Sequence, residues 1–218
     1  DGRPPVGVTI FVEGEEESGS PSLGDILRRN RDRLHADVLI LADSNNWKIG
    51  VPALTTSLRG LVEAIVEVRT LDHAIHSGMY GGAVMDAVTA LTRLLGCLHD
   101  ANGDVAVPGL HETQAADLDL TEEQLRLDAG VLDGVELVGT GSLTSRLWTK
   151  PAITVVGIDA PSTAKASNTL VPSARAKLSL RVAPGQDPRE AYEALAAHLR
   201  DNVPWGAQVE ITLKESGA

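Results

Sequence analysis

Four carboxylates fall within five residues at Glu13, Glu15, Glu16 and Glu17, and Ser18-Gly19-Ser20 closes the run. Like charges this close repel and raise one another's pKa, so the cluster calls for a neutralising partner. An isolated acidic run is more often a solvated loop, and its setting decides between the two. It follows an unbroken apolar stretch, Val6-Gly7-Val8-Thr9-Ile10-Phe11-Val12, whose pattern predicts a buried strand. A second such stretch, Val38-Leu39-Ile40-Leu41-Ala42, runs into Asp43. Between them Ser20-Pro21 reads as a helix N-cap followed by proline at the first helical position, and Leu23, Ile26, Leu27 and Leu34 make one apolar stripe. Strand, helix, strand predicts a βαβ unit with both strands ending at the same sheet edge, where ligand sites of open α/β sheets form. Glu16, Glu17 and Asp43 would then converge.

Two further positions carry chemical potential. His76 sits in the loop from Asp72 to Gly82, followed by glycines that allow close backbone approach and by a helix expected to start at Ala83. Arg181 stands on the polar side of an alternating strand. On spacing alone, a loop histidine or an arginine alternating out of a strand is usually solvated.

The elements that must position these residues divide the chain. Residues 1–56 hold the single βαβ unit. Two parallel strands and one helix cannot bury both faces of a sheet, so this part reads as a piece of a larger domain. Over residues 57–216 the pattern changes. Val62, Ala64, Val66 and Val68 alternate with charged residues, and a helix follows with Val84, Val88, Leu91, Leu94, Leu95 and Leu98 on its apolar face. After an irregular insertion at about 101–150 come a strand at Ile153–Ile158 and an alternating strand through Ala174, Ala176, Leu178, Leu180 and Val182. Asp187-Pro188-Arg189-Glu190 opens the last helix, and Val209, Ile211 and Leu213 mark the last strand. The order β-α-β-β-α-β predicts a mixed α/β (α+β) fold with a ferredoxin-like sandwich.

Composition narrows the function classes. A formal charge of −11 argues against a nucleic-acid binder. No apolar segment is long enough to predict a membrane span. The single cysteine, Cys97, excludes an internal disulfide framework and fits a reducing, cytoplasmic setting; its place in an apolar helical pattern suggests packing.

Glu15-Glu16-Glu17-Ser18-Gly19-Ser20, Ala42-Asp43-Ser44, His76-Ser77-Gly78 with Gly81-Gly82, and Asn168-Thr169-Leu170-Val171-Pro172 leading to Ser179-Leu180-Arg181 together resemble the M20 metallopeptidases. Arg146-Leu147-Trp148 and Gly157-Ile158-Asp159-Ala160-Pro161-Ser162 make the resemblance strongest to the carnosinase-type dipeptidases. It runs through nearly the whole chain in order.

The resemblance implies a parallel-sheet catalytic domain holding two divalent metal ions, with zinc expected and manganese or cobalt also suited to the ligands. A ferredoxin-like lid inserted into it would mediate homodimerisation. By position, Glu16 resembles the general base, Glu17 its neighbouring metal ligand, and Asp43 a carboxylate ligand of the second metal. His76 resembles the lid histidine that polarises the scissile carbonyl in the partner subunit. Arg181 resembles the clamp for the substrate carboxylate, and Asn168 and Thr169 resemble substrate contacts. The implied substrates are dipeptides or N-acyl amino acids, so a deacylase is an alternative to a dipeptidase, and a dimerisation module without catalytic role is another.

The family's His-x-Asp ligand pair is expected upstream of Val6 and its last histidine ligand beyond residue 218. His35-Ala36-Asp37 has the spelling of that pair in the wrong place, and His73 has no such support. The chain is therefore expected to be a fragment, inactive by itself, since two carboxylates cannot hold two zinc ions that want about four ligands each.

Overall fold

A computed structural model describes residues 4–41, 46–115 and 118–217. The chain divides into two compact units, one up to Thr55 and one from Thr56.

In the first unit, α1 (Leu23–Arg29) and α2 (Arg31–Leu34) follow a 3-10 turn at Glu16–Ser18. The expected βαβ ladder is not formed among the described residues: 6–12 and 38–41 run without strand pairing. Their apolar side chains stay open to solvent, Val12 and Ile40 each at 84% exposure. The physical reason is the one the pattern already contains: a parallel sheet with two apolar faces needs neighbours and a second helix layer before burial outweighs the entropy of ordering it. Ile10 and Phe11 instead flank a groove with Ile26, Asn30, Arg33 and Leu34 of the helical segment. The helix also starts later than expected. Ser22, not Ser20, precedes its first turn, and Ser20 adopts a left-handed φ of 49°.

The second unit is built on β1 (Gly60–Arg69), β2 (Ile75–His76), α3 (Ser77–Tyr80), α4 (Ala87–Gly96), α5 (Glu122–Ala129), α6 (Leu143–Trp148), β3 (Ala152–Asp159), β4 (Thr169–Leu170), β5 (Ser173–Val182), α7 (Pro188–Asp201) and β6 (Gln208–Gly217). Four strands form an antiparallel sheet in the order β3-β5-β1-β6. With α4 and α7 as the crossovers, this is the ferredoxin-like β-α-β-β-α-β connectivity. Period-two alternation sends Val62, Ala64, Val66 and Val68 of β1, and Ala176, Leu178 and Leu180 of β5, into one core with Leu91, Leu94, Leu195 and Leu199 of the helices. Both helices are started by aspartates: Asp86 accepts from the Thr89 N–H at 3.0 Å and Asp187 from the Arg189 N–H at 2.8 Å. The opposite face of the sheet carries charged residues.

The irregular segment between α4 and β3 is held together internally by charge. Lys150, almost fully buried, donates to Asp104 at 3.0 Å and lies 3.4 Å from Glu112. The hydroxyl of Thr140 donates to Asp104 at 2.6 Å, and this bond, followed by Lys150, outweighs burial and brings the Asp104 pKa to about 2. Burial alone would lower the pKa of Lys150, but its two carboxylate partners hold it above its ordinary value.

Candidate functional site

A two-residue ladder gathers three of the expected site residues. Ile75 pairs with Leu170 and His76 with Thr169, and the Ser77 N–H donates to the Asn168 carbonyl at 2.9 Å. His76, Asn168 and Thr169 therefore stand side by side. Just beyond Leu170 the ladder is anchored twice: the Thr70 N–H donates to Pro172 O and the Ala87 N–H, at the start of α4, donates to Val171 O, both at 3.0 Å.

His76 is exposed and extended, and it caps the four-residue α3, its Nδ1 accepting from the Gly78 N–H at 3.1 Å. An acceptor role at Nδ1 places the proton of the neutral ring on Nε2, which points a donor outward. The long helix after the loop begins at Ala87 rather than Ala83, and the Asp86 carboxylate already occupies its first turn. The expected contribution of a helix end to the histidine loop is thus replaced by the local cap at Gly78.

Arg181 lies near the far end of β5 from this ladder. Eight residues separate it from Ser173, or about 26 Å at the usual rise per strand residue. On the same polar face Arg175 pairs with Asp159 and Lys177 with Glu63, the latter at 2.6 Å. Arg181 has no such acid among the described residues. Its cross-strand neighbours are Leu61 and Ala152, and the charge it meets is a second arginine, Arg59. Partial burial first, and then Arg181, hold the Arg59 guanidinium below its ordinary pKa range.

Glu16 and Glu17 occupy the exposed 3-10 turn, which Gly19 closes at a φ of 81°. Glu15 has a structural role, since its carboxylate accepts from the Ser22 N–H at 3.1 Å and so ties the acidic turn to the start of α1. Asp43 lies outside the described residues. Among those described, no group of three or more histidine, cysteine or acidic side chains is arranged to hold a metal ion. The described residues do not by themselves make a two-metal site; of the expected acidic set they include Glu16 and Glu17, two adjacent carboxylates.

Sequence reasoning missed Arg59. Its signal was present in the alternation, since it stands two residues before Leu61, but its significance depends on the β1–β5 register that sets Leu61 against Arg181.

The second unit is a peptidase dimerisation domain by sequence match. Residues 56–207 match the peptidase dimerisation domain model of the M20 family, and the chain belongs to that family. It is 36% identical over 217 residues to a cysteinylglycine-S-conjugate dipeptidase of Corynebacterium striatum, covering 98% of this chain and 48% of that protein. The structure of human carnosine dipeptidase 1 superposes with a TM-score of 0.72 at 25% identity, covering 94% of this chain and 46% of that one. An M20 family metallo-carboxypeptidase of Sulfolobus solfataricus gives 0.67 at 26% identity, covering 94% and 49%. The chain thus spans about half the length of the relatives it matches.

Proposed function

We propose that the complete protein is a metal-dependent dipeptidase and that this chain supplies its lid together with one acidic edge of its catalytic domain. The observation that carries the reading is the ladder that sets His76 beside Asn168 and Thr169, within a family whose named relatives include dipeptidases of cysteinylglycine conjugates.

The residues divide the chemistry among them. Glu16 accepts a proton from the attacking water and passes it to the leaving amine. Glu17 and Asp43 would contribute carboxylates to two divalent ions, zinc by preference. When bound, those ions supply an acidified water. His76 offers its outward Nε2–H to the scissile carbonyl as negative charge develops there, and Arg181 grips the substrate carboxylate. Asn168 and Thr169 line the same place.

A dipeptide is far shorter than the length of β5, so one protomer's Arg181 and His76 cannot both reach it. A homodimer resolves this: Arg181 of one subunit and His76 of the other meet over one substrate. The β3 edge is suited to the pairing. It is apolar and exposed, Val156 at 52% and Ile158 at 51%, whereas the opposite edge, β6, carries Glu210, Lys214 and Glu215. The chain alone is then inactive, and its one thiol suits a cytoplasmic setting.

The deciding assay is dipeptide hydrolysis by the complete protein with Glu16→Gln. A fall in kcat of about 10²- to 10⁴-fold with metal content unchanged supports the assignment; full activity removes it. Equal or better turnover of N-acetyl amino acids would move the reading to a deacylase.

A further inference from the structure

On the open face of the lid sheet the basic side chains of β5 are treated unequally. Arg175 and Lys177 each have an acid, Asp159 and Glu63. Arg181 does not. Glu63, two residues along β1, pairs with Lys177 instead, and the residues directly across from Arg181 are the apolar Leu61 and Ala152.

Arg59 completes the picture. A Cβ on Gly60 would meet Gly217 O at 3.1 Å and Pro188 Cγ at 3.2 Å, so position 60 faces the helix layer. By strand alternation the preceding residue emerges on the opposite face, the face of Leu61 and Arg181. Arg59 is half-buried there, and among the described residues it has neither an ion pair nor a hydrogen bond. Two guanidiniums are thus held within electrostatic reach of each other, one partly out of water, without an anion between them. A folded chain does not gain stability from such a pair. It does gain a seat for an anion.

We propose that Arg59 and Arg181 together form a two-arginine seat for a single carboxylate, the terminal carboxylate of a peptide or N-acyl amino acid, with Arg59 as a second substrate-binding residue. The identity of that carboxylate rests on the hydrolase reading above. A carboxylate offers two oxygens and about four lone-pair sites, and each guanidinium presents a rigid fork of donors. One oxygen to each fork satisfies both sides, and the ligand's charge relieves the repulsion between the arginines. Because the relief is lost when the ligand lacks a charge, the seat discriminates strongly against amidated termini. Lysine at position 59 would keep the charge but not the fork.

The test is NMR of the 218-residue chain, following the arginine Nε–Hε signals during titration with glycylglycine and, separately, glycylglycinamide. The expected result is that the Arg59 and Arg181 signals move together and saturate at one glycylglycine per chain, while the amide moves neither. Arg59→Lys should weaken glycylglycine several-fold and Arg59→Gln about tenfold or more. Unchanged backbone amide signals across Gly60–Arg69 would show that the strand is intact in these variants. Movement of Arg181 alone, or full affinity in Arg59→Gln, overturns the two-arginine seat and leaves the Arg181 clamp standing. If neither signal moves, the seat and the clamp fall together.

Discussion

The Nδ1 of His76 accepts the backbone N–H of Gly78 at 3.1 Å, and that bond determines what the exposed end of the ring can do. With Nδ1 engaged as an acceptor, Nε2 carries the proton and faces outward as a donor. A Cβ at Gly78 would lie 2.9 Å from His76 Cε1, so the absence of a side chain there is part of the arrangement. Gly78→Ala should turn the ring away, and ¹⁵N shifts of the imidazole should change from a dominant Nε2–H tautomer to a mixture. In the complete enzyme His76→Ala should lower kcat by about 10²- to 10³-fold with a smaller change in KM, the pattern of a donor that acts on developing charge.

The Asp104–Thr140–Lys150 cluster gives the lid an acid limit. The folded Asp104 pKa of about 2 lies below its ordinary 3.8, so the unfolded chain binds the proton more readily. The stability this group contributes is complete above about pH 5 and is lost as pH falls toward 2; with solvent screening it is on the order of 1 kcal/mol. Urea titrations at pH 5, 3 and 2 should show that loss in the parent chain and not in Asp104→Asn, which should already be less stable at pH 5.

The β3 edge should carry self-association. Ile158→Lys places a charge on the exposed apolar edge without touching the buried core, and it should weaken the dimer at least about tenfold by sedimentation. Lys214→Ile on the opposite edge should leave the dimer unchanged. Equal sedimentation of all three chains would remove β3 as the contact.

Much of this fold is legible in the sequence because burial on one face writes a period of two. The alternations through Val62–Val68 and Ala174–Val182 name the central strands, and Asp187-Pro188 names the start of α7. The first unit is legible only in part. Val6–Val12 and Val38–Leu41 have the composition of buried strands, but a strand is a relation between neighbours, and those neighbours are not among the described residues. In the histidine loop, glycine positions suggest close approach without revealing that Gly78 caps His76 or that Asp86 starts α4. Arg59 is the clearest case: composition makes it one more surface arginine, and only the cross-strand register shows that it faces another.

Placement of His76 in the short β2–β4 ladder and of Arg181 toward the far end of β5 leads to one decisive measurement. In the complete dimeric protein, His76→Ala and Arg181→Ala should each be nearly inactive alone. Mixed and reassociated, they should form heterodimers with one doubly altered site and one intact site. Dipeptide hydrolysis should then recover to about a quarter of the unaltered enzyme under random reassociation of equal amounts. No recovery, with heterodimers shown to be present, would contradict a site shared between subunits.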